Sequence, residues 1–410
     1  MAEQSDVTVA SGHAVHPVTR TWLLCFALAW FGFWLLVMLP GQFMVVKLAS
    51  VIAPDDKVAL GSLLIGEMSA VIVICIPIIG WLCDRSRPRF GRRRTWAAAG
   101  VVLATLSFAF VGFQTTWIGA VVLLGLVAVG EAAMLVSLSA VIADQVPVAQ
   151  RGRASAAMGV PQVIALAAGM VVVTEVVTDV PASWMVIAAI AAAAPMPFLI
   201  LFREQAPAPT APRQARARRP LRDRVAGYRD FGWTVTSRTL VNAGNLIGTT
   251  YLLFFLADVL RLPDPDGALM VLILVYLGFC ALASWLGGLL TDRFAARRAF
   301  VLGAALLQAA AALLLSLLPT WESSIAAAVL LGLGYGLFLS VDQALLTDVL
   351  PHAATRARDI GIAGAVQYLP IAAVVGWLVL TVAGYSQLYA VAAAVMALGG
   401  FAVLRVRTGG

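Results

Sequence analysis

Twelve times along the chain an apolar run of about 20 residues, long enough to cross a bilayer, is broken by a short polar or charged gap. In hydrocarbon every backbone amide must be bonded within the protein, so only helices and closed barrels can span. Runs of this length, with no apolar–polar alternation, are helices. The expected fold class is therefore an all-α membrane protein of twelve transmembrane helices in two six-helix bundles. The first six are expected at Trp22–Val46, Val58–Leu82, Trp96–Gly112, Trp117–Ile142, Ala154–Val176 and Trp184–Phe202. The second six are expected at Phe231–Phe255, Ala268–Leu290, Ala299–Leu318, Ser324–Leu346, Ile360–Val382 and Leu388–Leu404. Only 12% of residues are charged, against about 25% in a soluble domain, so half the usual solvated surface is missing.

The net charge of +7 does not indicate nucleic acid, which needs a basic face on a soluble fold. Here the arginines fill gaps between spans, six of them between Arg85 and Arg94. Residues 1–21 form a polar tail without the apolar core of a secretory signal. Residues 203–230, Pro- and Arg-rich, read as a linker between a bundle at 22–202 and another at 231–404, and residues 405–410 are a short tail. Cys25, Cys75, Cys83 and Cys280 lie in or beside apolar runs without metal spacing. His13, His16 and His352 fall outside the spans, so no histidine relay crosses the membrane. No nucleotide loop, metal cluster or nucleophile–base pair suggests an enzyme, a metal or an organic cofactor.

Lysine and arginine mark the cytoplasmic side. Nearly all of the 28 basic residues lie before the first span, in the even-numbered gaps or in the tail. Lys47, Lys57 and Arg261 fall on the other side, and Arg238 lies within a span. The chain is thus expected to be multi-pass in the cytoplasmic membrane, with both termini inside.

The two halves repeat. "GWLCDR" at 80–85 returns as "GLLTDR" at 288–293, and "DQVP" at 144–147 returns as "DVLP" at 348–351. Six-plus-six parallel repeats around a linker resemble the major facilitator superfamily. The superfamily's loop motif is matched by Gly80, Asp84, Arg85, Gly91, Arg92 and Arg93, with Gly288, Asp292 and Arg293 as the second copy. The longer form from Pro77 through Arg94 resembles the glycoside–cation symporters, especially the sucrose–proton type. Asp84 sits at a helix C-terminus, where the dipole disfavours a carboxylate. The start of helix 11 is its expected partner, making a contact that would hold the cytoplasmic side shut. Asp292 would face the start of helix 5 by the same symmetry.

Ionisable groups within spans usually mark a pathway. Glu131 stands near mid-bilayer in helix 4 with no basic neighbour on its helix, which makes it the first candidate for reversible protonation. Glu67 in helix 2 and Asp342 in helix 10 are the others. Arg238, Asn242, Asn245 and Thr249 share one face of helix 7, and the resemblance points that face at a central solute cavity. Interhelical cement is the structural alternative. Asp342 lies at the depth of Arg238, so the two can pair. Gln42, Tyr251 and Gln367 are further solute candidates; Gln162, Gln343, Tyr276 and Tyr368 are equally packing positions. Pro161 and Pro370 are expected to bend helices 5 and 11.

Sodium-coupled glycoside symporters carry acids on helix 2 where this chain has Ile72 and Ile76. The coupling ion implied is therefore H+. The function expected is a monomeric secondary transporter, embedded in the lipid bilayer, moving a small polar solute such as a sugar or glycoside with protons. The alternatives are a proton-driven exporter of a drug or secondary metabolite, and a membrane sensor that kept the fold.

Overall fold

The computed structural model describes residues 18–86, 88, 91–147, 150–202, 221–294, 297–348 and 371–406, with backbone alone for 143, 151, 152, 155, 221–228, 288–294, 343, 344, 346–348, 371 and 372. The described residues run through twelve helices. The N-terminal half holds α1 (Arg20–Ile52), α2 (Lys57–Arg85), α3 (Arg92–Val111), α4 (Trp117–Gln145), α5 (Arg151–Val171, continued by a π-turn at Val172–Val176) and α6 (Val180–Leu201). The C-terminal half holds α7 (Leu221–Thr250, continued by Leu252–Asp258), α8 (Pro265–Phe294), α9 (Arg297–Leu317), α10 (Trp321–Asp348), α11 (Ile371–Ala383) and α12 (Tyr385–Val403). Eleven are long and apolar enough to cross a membrane; the described part of α11 is shorter.

Two boundaries depart from the sequence reading by more than four residues. Helix α1 runs through Pro40 as expected, by way of a π-turn at Pro40–Met44, and continues six residues beyond the expected end at Val46 to Ile52. Helix α7 begins at Leu221, ten residues inside the segment taken as linker. Pro220 stands just before its first residue, and Leu221, Val225 and Tyr228 recur at helical spacing among the charges. The rest of the linker, and the stretch expected as the first part of helix 11, lie outside the described residues.

Within the N-terminal half α1 packs on α5 and α6, α2 on α4, and α3 on α4 and α6; within the C-terminal half α8 and α9 pack on α10, and α12 on α7 and α9. Small residues permit the closest approaches. A Cβ added to Gly130 of α4 would stand 2.7 Å from the carbonyl oxygen of Gly100 in α3, and one on Gly100 would meet the Gly130 carbonyl at the same distance. Such close backbone approach is how helices associate where no hydrophobic effect drives them together. Leu24, Ile74, Trp81, Leu106, Trp285 and Val382 are among the large apolar side chains left exposed, a surface suited to lipid tails. Cys25, Cys83 and Cys280 are buried free thiols and Cys75 is half-buried.

The first and last described residues belong to one end of the bundle, here called the terminal end: Val18 donates to Gln150 at the start of α5, and Arg298 at the start of α9 donates to the Val406 carbonyl. The α1–α2 and α7–α8 turns form the far end. Toward it, side-chain hydrogen bonds and ion pairs join the two halves. Gln42 reaches Thr249, Lys47 pairs with Asp266, Lys57 pairs with Asp258, and Ser62 bonds Tyr251. The far end is sealed.

Candidate transport pathway

Glu131 lies fourteen residues from each end of α4, roughly 21 Å at 1.5 Å per residue. It is 1% exposed, and neither carboxylate oxygen has a hydrogen-bond partner among the described residues. Its neighbour Gly130 is pressed against the α3 backbone, which closes that flank to water. Orphaned buried polar groups are rare in folded proteins and ask for an explanation. A carboxyl group that carries its own proton, and passes it on when the surroundings change, is one.

Glu67 meets α4 at Gly125, about 1.7 turns from Glu131 toward the far end. A Cβ on Gly125 of α4 would fall 2.7 Å from Glu67 Oε1, so Gly125 is the notch that admits this side chain. Its Oε2 is buried and also lacks a partner among the described residues. The two unpaired acids thus belong to the same helix pair of the N-terminal half.

Asp342 behaves differently. It forms an ion pair with Arg238 across α7 and α10, both side chains being buried. The stripe on α7 turns largely into its own bundle. Asn242 Nδ2 donates to the Arg238 carbonyl and its Oδ1 accepts from Tyr335 of α10 at 3.5 Å. Asn245 Nδ2 donates to Gln308 of α9 at 3.1 Å. Gln308 is fully buried, and its amide orientation is fixed because its Nε2 donates to the Ala304 carbonyl, which can only accept. Arg238 and Asn245 are therefore held by the C-terminal bundle, while Asn242 and Thr249 remain half-exposed. Thr249 donates to the Asn245 carbonyl and accepts from Gln42. Tyr276 and Tyr335 lie ring to ring, with centroids 6.2 Å apart, beside this network.

Tyr251 belongs to the far-end seal in this conformation and not to an open cavity. It is 1% exposed; its hydroxyl bonds Ser62 Oγ of α2 at 2.8 Å and donates to the Ala373 carbonyl of α11 at 2.9 Å. Gly376 makes room for its ring: a Cβ there would approach the ring to 2.2 Å. Gln42 stands in the π-turn of α1, a helix irregularity common at functional positions. Gln162 bonds only the Met38 sulfur among the described contacts. Gln343 is described by its backbone alone, and Gln367, Tyr368 and Pro370 lie outside the described residues.

The loop motif forms a charge cluster at the terminal end. Arg93, 7% exposed, binds Asp84 at 3.0 Å and Asp144 at 2.9 Å, and Arg92 stands 3.8 Å and 3.5 Å from the same acids. The described partners of Asp84 are thus in its own half, where a six-residue loop returns the chain from α2 to the first turn of α3. The start of helix 11 lies outside the described residues. Gly91 has φ +90°, a backbone that only glycine adopts easily, and its carbonyl receives the Thr95 hydroxyl at the start of α3. Arg85 extends over the Trp81 ring at 4.9 Å. Gly288, Asp292 and Arg293 lie in the last turns of α8, the place equivalent to Gly80, Asp84 and Arg85 in α2, and their side chains are not described.

Comparison with known proteins agrees with this architecture. The family model of the Major Facilitator Superfamily matches residues 22–286 and 265–409. No curated protein matches the sequence. Among solved structures, a mutant form of the nucleoside transporter NupG superposes with a TM-score of 0.70 over 94% of this chain and 100% of its own, at 12% identity.

Proposed function

The chain belongs to the Major Facilitator Superfamily, a multi-pass membrane transporter of a small solute, and from that premise we propose that it couples solute movement to protons by alternating access. Glu131 is the proton carrier, Glu67 a second protonatable position near it, and the half-exposed face of α7 the solute contact. The solute is small and hydroxyl-rich, a sugar or glycoside. The single observation that carries the coupling is Glu131: a carboxyl group buried at mid-membrane depth with both oxygens unpartnered. A charge left there would be too costly to keep, whereas a proton taken from one side and released to the other makes the same residue useful. The Arg238–Asp342 pair is already neutralised and serves less well. In this reading the terminal end faces the cytoplasm, in keeping with the distribution of arginine.

Amides and hydroxyls on α7 suit solutes recognised by directed hydrogen bonds. Asn242 presents Oδ1, already accepting from Tyr335, and its orientation is set by the Arg238 carbonyl. The test uses purified protein in vesicles. Counterflow with sugars, glycosides, nucleosides and hydrophobic drugs identifies the solute class; nucleosides are included because NupG is a nucleoside transporter. With the solute in hand, Glu131→Gln should abolish accumulation driven by a pH gradient and leave solute exchange intact, because the amide imitates the protonated acid. Undiminished uphill transport in that variant would overturn the role of Glu131. Counterflow of drugs alone would replace the sugar reading with an exporter.

A further inference from the structure

Of the 28 basic residues in the chain only two are lysines, Lys47 and Lys57, and both sit at the far end. They flank the α1–α2 turn, and each pairs with an aspartate of the opposite half: Lys47 with Asp266 at the start of α8, Lys57 with Asp258 at the end of α7. Those aspartates in turn flank the α7–α8 connection. The two connections occupy equivalent places in the repeated halves, yet one supplies both cations and the other both anions. Tyr385 donates to the second oxygen of Asp258 at 2.7 Å and so holds it toward Lys57. Lys47 lies 5.2 Å from the Phe43 ring of its own half and Lys57 5.5 Å from the Phe254 ring of the other.

We propose that these two lysine–aspartate pairs are the releasable latch of the outer gate, and that the π-turns Pro40–Met44 and Val172–Val176 are its hinges. Both π-turns occur where an N-terminal helix meets the C-terminal half: the first packs on α7 and the second on α8. A π-turn leaves a helix locally easier to bend. The residue choice fits a contact that must break in every cycle. Arginine binds carboxylate through a rigid two-pronged fork, whereas lysine is a strongly hydrated point charge that water easily reclaims. The arginines that bind acids within one half, Arg93 to Asp84 and Asp144 and Arg238 to Asp342, join elements that stay together. All four side chains of the latch are a quarter to a third exposed, so water reaches them even when the gate is shut.

The proposal rests on alternating access and not on the solute or the coupling ion. Its test is therefore a distance measurement made without either: spin labels on the α1–α2 turn and the α7–α8 connection, in vesicles with no solute and no pH gradient. A half-exposed pair is worth about 0.2–1 kcal/mol, which is about a 1.4- to 5-fold change in the ratio of shut to open. Lys47→Gln or Lys57→Gln should each shift the far-end distances toward open by that factor, and the two together by about the product. Lys57→Asp combined with Asp258→Lys should return the distribution toward that of the unaltered protein. Raising salt from 0.01 to 1 M, which shortens the Debye length from about 30 to 3 Å, should open the unaltered protein and leave the doubly neutralised one unmoved. Arg261→Gln, a charge on the same surface, serves as the control. Far-end distances unchanged in the Lys47→Gln, Lys57→Gln protein would overturn the latch, as would failure of the charge exchange to rescue. Distances that respond while Glu131→Gln leaves uphill transport intact would separate a sound gate from a wrong coupling residue.

Discussion

At the scale of single residues the buried charges divide into paired and unpaired, and the two kinds have opposite consequences. Arg238 and Asp342 are 7% and 4% exposed and balance each other's charge, although Arg238 Nε has no partner among the described residues. Removing one partner strands the other in the bundle, which costs about 3–5 kcal/mol. Asp342→Ala should therefore lower thermal stability sharply in detergent, while Arg238→Met together with Asp342→Leu should recover most of it. Equal loss in the single and double variants would show that the pair does more than balance charge. Glu131 has no such partner among the described residues, so Glu131→Gln strands no opposite charge and should cost less stability than Asp342→Ala while acting on coupling. This pairing of Arg238 with Asp342 was readable from sequence, since both interrupt apolar runs at similar depth. The hold of Gln308 on Asn245 was not: a lone glutamine among the alanines and leucines of α9 has no periodic signature, and only the packing of α7 on α9 reveals its role.

Among the elements, the apolar runs determined which segments cross, and the irregularities determined where they bend. The span expected at Trp22–Val46 contains Pro40, and α1 accommodates it with one wider turn at Pro40–Met44 that the apolar pattern does not mark. The start of α7 was missed because arginines and aspartates hid the spacing of Leu221, Val225 and Tyr228. The partners of the loop motif depend on tertiary placement: those described for Asp84 are Arg92 and Arg93, and the expected one, at the start of helix 11, lies outside the described residues. Gly91→Ala tests the local part of that structure. A side chain at φ +90° is strained and costs of order 1–3 kcal/mol, so it should loosen the return from α2 to α3 and raise protease cleavage between Ser86 and Arg92. Helices α3 and α4 offer a sharper test. Gly130→Val would drive methyl groups into the α3 backbone at Gly100 and Ala104, and cost at least the 1–3 kcal/mol usual for overpacking. Unaltered melting would mean the two helices are not in contact.

For the whole molecule, the sealed far end and the twofold-repeated plan impose one requirement: transport needs that seal to open. The seal is built from Lys57–Asp258, Lys47–Asp266, the Tyr251 hydroxyl between Ser62 and Ala373, and the Gln42–Thr249 contact. All of these contacts lie toward the same end of the molecule, so tying the two halves together at one pair there should hold the rest. The four native cysteines can first be replaced, three being buried and one half-buried. Lys57→Cys and Asp258→Cys then place two thiols where the ion pair stood. A short thiol crosslinker containing a cleavable disulfide should arrest transport completely when it bridges the halves, and reductant should restore it. The same thiols, labelled from outside intact cells by a reagent that cannot cross the membrane, report which way the protein sits: labelling follows if the arginine-rich terminal end is cytoplasmic. Full transport by the bridged protein would show that solute passes without the far end opening, and alternating access around this seal would have to be abandoned.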